Sequence, residues 1–137
     1  MMLRQNSILS WMVGVAMATA LLSGLAIFPR ASSAYASADA DRGKQLFEKR
    51  CTGCHSLDRN EEGPRLRGVY GRQAGKSPGF TYSAALQSSQ LTWNDASLDK
   101  WLMDPDSLIP DNGMEFYVAN QDERADIISY LKKLSTK

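Results

Sequence analysis

One histidine and two cysteines occur in 137 residues, and these shortages exclude several functions at once. A structural zinc site needs four ligands, usually Cys and His, and Cys51, Cys54 and His55 are the only residues of those types. Basic residues are not in excess either: the formal net charge is +1, and a nucleic-acid footprint would need a basic face or a recognised binding motif. The sequence contains no internal repeat and no stretch with convincing strand character. The expected fold class is therefore all-α, with long loops between helices.

The three scarce residues stand together in Cys51-Thr52-Gly53-Cys54-His55. In a C-x-x-C-H run two thiols can add to the vinyl groups of one haem while the adjacent imidazole ligates its iron. A redox-active pair of the thioredoxin kind would stand in a βαβ pattern, whereas these flanks read as helix and glycine-rich loop. A disulfide between cysteines so close in sequence would add little stability. The expectation is one haem c per chain, covalently held by Cys51 and Cys54, with His55 on the iron.

Charge is missing from the N-terminal stretch. No charged residue lies between Arg4 and Arg30, and Ile8 to Phe28 is largely apolar, which predicts an export signal or an anchor. Ala36-Ser37-Ala38 supplies an A-x-A arrangement that would release a chain beginning at Asp39. The apolar run of roughly 21 residues exceeds the 7–15 of a signal h-region and nearly matches a bilayer span. Retention as a membrane anchor through residues 8–28 thus stands beside cleavage, which is slightly favoured. The expected organisation is 1–38 as signal peptide or uncleaved anchor and 39–137 as the haem domain, on the periplasmic side of a bacterial cytoplasmic membrane. Losing Arg4 and Arg30 from the 16 basic residues leaves 14 against 15 acidic. A domain of that size has a marginal core, to which a buried haem would add apolar contact.

Along the rest of the chain, Asp39 or Asp41 can start a helix through Gly43, Leu46 and Phe47 toward Cys51. Glycine inside a helix costs about 1 kcal/mol against alanine, so Gly43 is expected to let another helix approach closely. After His55, repeated glycines and Pro64 predict irregular loop. There the Pro64 carbonyl could bond the second nitrogen of His55 and fix its tautomer. Tyr82–Ser88 reads as a short helix. Asn94 is a good N-cap for Asp95–Met103, in which Leu98, Trp101 and Leu102 share a face and which Pro105 stops. Leu108 to Met114 reads as an extended loop with a turn at Asn112-Gly113. The last helix has a capping-box-like start at Asn120 and Glu123, an apolar stripe of Ile127, Ile128, Leu131 and Leu134, and Lys132 and Lys133 near its C-terminus.

With no second histidine, bis-His ligation within the chain is excluded. Once residues 1–38 are removed, Met103 and Met114 are the remaining thioethers. Met103 lies at a helix end beside Leu102 and reads as core. Met114 follows a proline and a turn in a long loop, where a thioether can reach iron without competing for helix packing. Met114 is the expected second axial ligand.

These residues, with Gly43-Lys44-Gln45-Leu46-Phe47, Gly63-Pro64, Gly71-Arg72, Pro78-Gly79-Phe80-Thr81-Tyr82, Trp93, Phe116 and the run Glu123 to Lys133, make the chain resemble a class I c-type cytochrome. The resemblance is to the small mitochondrial cytochrome c type, also found in bacteria, and it covers Gly43 to Lys133. It implies N- and C-terminal helices packed crosswise, His55 and Met114 as axial ligands, and Pro64 as carbonyl partner of His55. It also implies haem propionate contacts from Arg72, Tyr82 and Trp93. Trp101 stands where the mitochondrial pattern has a tyrosine near the methionine sulfur, and Leu86 where it has a buried asparagine. Both changes alter polar contacts around the haem and hence its redox tuning.

The function expected is electron transfer between respiratory-type redox partners, a donor reductase and an acceptor oxidase or reductase, with no enzyme activity and no nucleic acid bound. A haem enzyme would want an open coordination position and usually a distal acid–base group, and the one histidine is already used. A sensor would need a readout domain, and none is encoded in these 137 residues. Charge is unevenly spread. Asp95, Asp99, Asp104, Asp106, Asp111, Glu115, Asp122 and Glu123 face Lys100 alone between Asp95 and Glu123, whereas Arg42 to Lys76 holds nine basic residues and four acidic. If folding preserves the asymmetry, the methionine side of the haem edge is acidic and the histidine side basic.

Overall fold

A computed structural model describes residues 37–136, so the apolar run from Ile8 to Phe28 lies outside the described residues. Helix α1 spans Ala40–Arg50, and Asp39 caps it by accepting from the backbone N–H groups of Asp41 and Arg42. Helix α2 spans Ala84–Ser88 and α3 Asp95–Met103. The Asn94 cap of α3 is reciprocated by Ser97, whose hydroxyl accepts from the Asn94 N–H at 2.8 Å. Helix α4 spans Pro105–Leu108 and α5 Gln121–Lys133. Among the described residues no strand forms; one antiparallel bridge joins Gln73 to Thr92. No helix among them is long and apolar enough to cross a membrane.

The frame is the crossing of α1 and α5. A Cβ on Gly43 would lie 2.5 Å from the carbonyl carbon of Asp126 and 3.0 Å from Tyr130 Cβ, so the expected close approach exists and has a backbone on the other side. Ion pairs flank it. Asp126, whose side chain is buried, accepts from the Asp39 N–H at 2.7 Å and from Arg42 Nε and Nη2 at 2.9 Å each. Arg50 pairs with Glu123 at 2.8 Å. Hydrogen bonding to Asp126 raises the Arg42 pKa further above its ordinary value. Phe47 tilts against Tyr130 with ring centroids 5.6 Å apart. Ile127, Ile128 and Leu131 are buried as the stripe predicts, in one cluster with Leu98, Trp101 and Leu102 of α3.

Four local expectations change. The short helix expected over Tyr82–Ser88 begins at Ala84, because the Ser83 hydroxyl caps it through the Leu86 N–H. Pro105 does more than end α3: at the first position of a helix its missing N–H costs nothing, and it opens α4 with Asp104 as cap. The Asn120 cap of α5 forms, but the Glu123 carboxylate goes to Arg50 across the crossing. Met103 is not core; it is 50% exposed.

Candidate functional site

A cavity of about 650 Å³ opens beside the α1–α5 crossing, within the range of roughly 300–1,000 Å³ usual for cofactor pockets. The end of α1 delivers the first part of its wall. Cys51 continues the helical hydrogen bonding, and the N–H groups of Cys54 and His55 both donate to the Cys51 carbonyl at 3.2 and 2.9 Å. This tight turn brings both sulfurs and the imidazole to one cavity wall. Burial pushes the Cys51 thiol up to about 11, so the sulfur stays uncharged there, as a thioether also would.

The His55 ring is held from two sides. Its Nδ1 lies 2.8 Å from the Pro64 carbonyl oxygen, which can only accept, so Nδ1 carries the proton and Nε2 keeps its lone pair for a metal. Gly63 passes directly against the ring, and its N–H donates to the Cys54 carbonyl at 2.8 Å. A Cβ on Gly63 would come within 2.6 Å of Nδ1 and closer still to Cε1. Gly63→Ala is therefore expected to push the ring off the Pro64 carbonyl, at about 1–3 kcal/mol of overpacking. Thermal melts of the holoprotein check this, together with the ferric optical spectrum, which should shift as the imidazole turns.

Met114 lines the same cavity from the loop after α4 and is half-buried against the core, whereas Met103 does not reach the cavity. The loop is fixed by side chains that spacing did not single out. Asn112 is buried; its amide donates to the Ile109 carbonyl at 3.0 Å and its oxygen accepts from the Met114 N–H at 2.6 Å. Beyond Met114, the Val118 N–H donates to the Leu102 carbonyl at 2.7 Å. Buried Arg124 donates to the carbonyls of Val118 and Ala119 at 3.0 and 2.9 Å and pairs with Asp99 at 2.7 Å. The Asn-Gly pair signalled the turn, but nothing in the sequence gave Asn112 or Arg124 this positioning work.

Arg72, Tyr82, Trp93 and Trp101 all reach the cavity. The two indoles meet edge to face at 5.2 Å. The Tyr82 hydroxyl accepts from the Ser77 N–H at 3.3 Å. Arg72 donates to the Arg65 carbonyl at 3.0 Å, and among the described residues it has no carboxylate partner. Burial pulls its pKa below the ordinary arginine value. A half-buried guanidinium without an anion on a cavity wall suits a ligand that brings carboxylates, as haem does through its propionates. Leu86, buried on the same wall, offers no polar group. Apolar walls, paired thiols, an oriented imidazole and an unmatched guanidinium together fit haem.

The cytochrome c family model matches residues 40–135. The chain belongs to the cytochrome c family. It is 44% identical over 99 residues to cytochrome c of Euglena viridis, covering 70% of this chain and 97% of that protein. It is 41% identical over 104 residues to cytochrome c2 of Rhodomicrobium vannielii, covering 73% and 82%. Among solved structures it is similar to cytochrome cH from Methylobacterium extorquens, with a TM-score of 0.66 and 40% identity over 69% of this chain and 98% of that one. As a class I c-type cytochrome it is a monohaem electron-transfer protein with covalently bound haem c, and its helical architecture is the small all-α cytochrome c fold.

Proposed function

We propose that this cytochrome shuttles single electrons between respiratory-type redox proteins, with His55 and Met114 as the axial ligands of an iron held through Cys51 and Cys54. The observation that carries the proposal is the meeting on one cavity of Met114, from the loop after α4, with His55 and both cysteines, from the turn after α1. Haem bound there supplies a one-electron couple. Pro64 orients the imidazole so that Nε2 faces the cavity. Asn112 and Arg124 hold the loop that presents the Met114 sulfur. Arg72, Tyr82 and Trp93 would take the propionates, and Trp101 would pack the methionine side in place of a hydroxyl-bearing ring. His55 and Met114 would hold the iron between them and leave it no free position for a substrate, which suits a carrier and not an enzyme. Residues 1–38 export or anchor the domain 39–137 on the periplasmic side of the membrane.

Mass spectrometry of peptides from the native protein tests this. The fragment holding Cys51 to His55 should carry one haem that survives solvent extraction, and the mature chain should begin at Asp39. A haem-free fragment would refute the attachment. An intact Arg4 in salt-washed membranes would replace cleavage with anchoring.

A further inference from the structure

We propose that the groove beside the Met114 loop is a docking surface for an electron-exchange partner whose own face is basic around an apolar centre, a proposal that rests on the carrier function above. The groove measures about 890 Å³ and is lined by Asp104, Asp106, Asp111 and Glu115 with Met103 and Tyr117. Met103 and Tyr117, 50% and 66% exposed, are the large apolar side chains that the described surface leaves open. Both border one groove together with the four carboxylates, so it joins the exposed apolar area and the polar groups that a protein interface combines.

The charge is not neutralised locally. Elsewhere on the described chain every carboxylate except Glu62 and Asp122 is ion-paired, including Asp95 with Lys132, Asp99 with Arg124 and Glu123 with Arg50. The acidic stretch read from the sequence is thus not one continuous face. Folding pairs Asp95, Asp99 and Glu123 on its flanks and leaves the four groove carboxylates unpaired. Asp104 and Asp106 are held in place by accepting from the backbone N–H groups of Ser107 and Asp111 at 3.1 and 3.2 Å. No group of three acidic, histidine or cysteine side chains among the described residues could hold a metal ion, and an exposed methionine and tyrosine give such an ion nothing. A broad basic protein face with an apolar middle uses both features. Asn112, Gly113, Met114, Glu115 and Phe116 border the groove and the haem cavity alike, so a partner seated there lies against the loop that carries Met114.

The probes are two cations inert to ligand substitution, one of them a one-electron oxidant. In the reduced, full-length holoprotein, tris(ethylenediamine)chromium(III) should broaden the backbone NMR signals of residues 103–117 before any others. Oxidation by tris(phenanthroline)cobalt(III), a cation with aromatic faces, should slow several-fold from 0.01 to 0.1 M ionic strength as the Debye length falls from about 30 to about 10 Å. Asp104→Asn/Asp106→Asn/Asp111→Asn keeps each side-chain acceptor, and asparagine tolerates the positive φ of 58° at residue 111. This variant should lose the salt dependence and about tenfold of the low-salt rate. Broadening centred elsewhere, a rate indifferent to or rising with salt, or a folded triple variant with the wild-type rate would each overturn the proposal. If the triple variant does not fold, the wild-type map and salt dependence decide alone. Failure to exchange electrons with both the cobalt complex and ferricyanide would instead refute the carrier function, and the chromium map would still report on the groove.

Discussion

Met114→Ala should keep its covalent haem and lose the weak thioether–iron band at the red end of the ferric spectrum. In the proposed site the attachment depends on Cys51 and Cys54, just past the end of α1, and the axial sulfur is that of Met114, on a loop more than fifty residues later, so the two are separable by mutation. Met/His ligation raises a haem potential relative to other ligand sets. Losing the thioether should therefore lower the potential, by on the order of 0.2 V within the roughly 0.8 V that axial ligands span. The vacated position should bind external ligands and support peroxidase side activity. Met103→Ala should change neither the band nor the potential, because Met103 is half-exposed on the groove and absent from the haem cavity. Equilibrium redox titration and ferric spectra of the two variants make the comparison. A band lost in Met103→Ala and kept in Met114→Ala would reverse the ligand assignment.

Gly43→Ala should be among the most destabilising single-methyl additions in the molecule. Alanine in a helix gains about 1 kcal/mol over glycine, so propensity alone predicts stabilisation. Packing opposes it: the new Cβ would overlap the Asp126 carbonyl, a backbone group that cannot rotate away as a side-chain end can. Helices α1 and α5 must separate, which also strains the Arg42–Asp126 and Arg50–Glu123 pairs on either side. Overpacking costs about 1–3 kcal/mol and occasionally more, and a rigid partner puts this case at or beyond the upper end. A net loss of about 2 kcal/mol corresponds to a melting point roughly 10 °C lower for a domain of this size. Calorimetry of the holoprotein measures it; an unchanged or higher melting point would show that the crossing has more room than the structure gives it.

What the sequence made legible follows from how local each signal is. The helix over Asp95–Met103 begins and ends where the Asn94 cap and Pro105 put it, because capping acts within a few residues. The C-terminal helix was legible through the period of Ile127, Ile128 and Leu131. Gly43 announced a close approach because a mid-helix glycine needs a reason, although the glycine alone does not name Asp126 as the neighbour. Long-range arrangements were hidden. Nothing near Glu123 shows that its carboxylate leaves the helix cap for Arg50, 73 residues away. Nothing near Arg124 shows that it is buried to hold the Val118 and Ala119 carbonyls. Met103 looked like core because Leu102 and Trp101 beside it are core, but one more residue turns the helix by about 100° and takes its side chain off the buried face. The cavity itself was implied by the C-x-x-C-H run, but its fit to haem rests on groups gathered by the fold: the Gly63 backbone against His55, and Arg72 short of an anion.

The ferric optical spectrum of the purified wild-type holoprotein tests the central claim most directly, since it reports the axial ligand set without any mutation. A low-spin spectrum carrying the weak thioether–iron band is the result expected for His55 and Met114 on one iron. A high-spin spectrum without that band would contradict it, because an open position on the iron is what an enzyme requires and a carrier of this kind lacks.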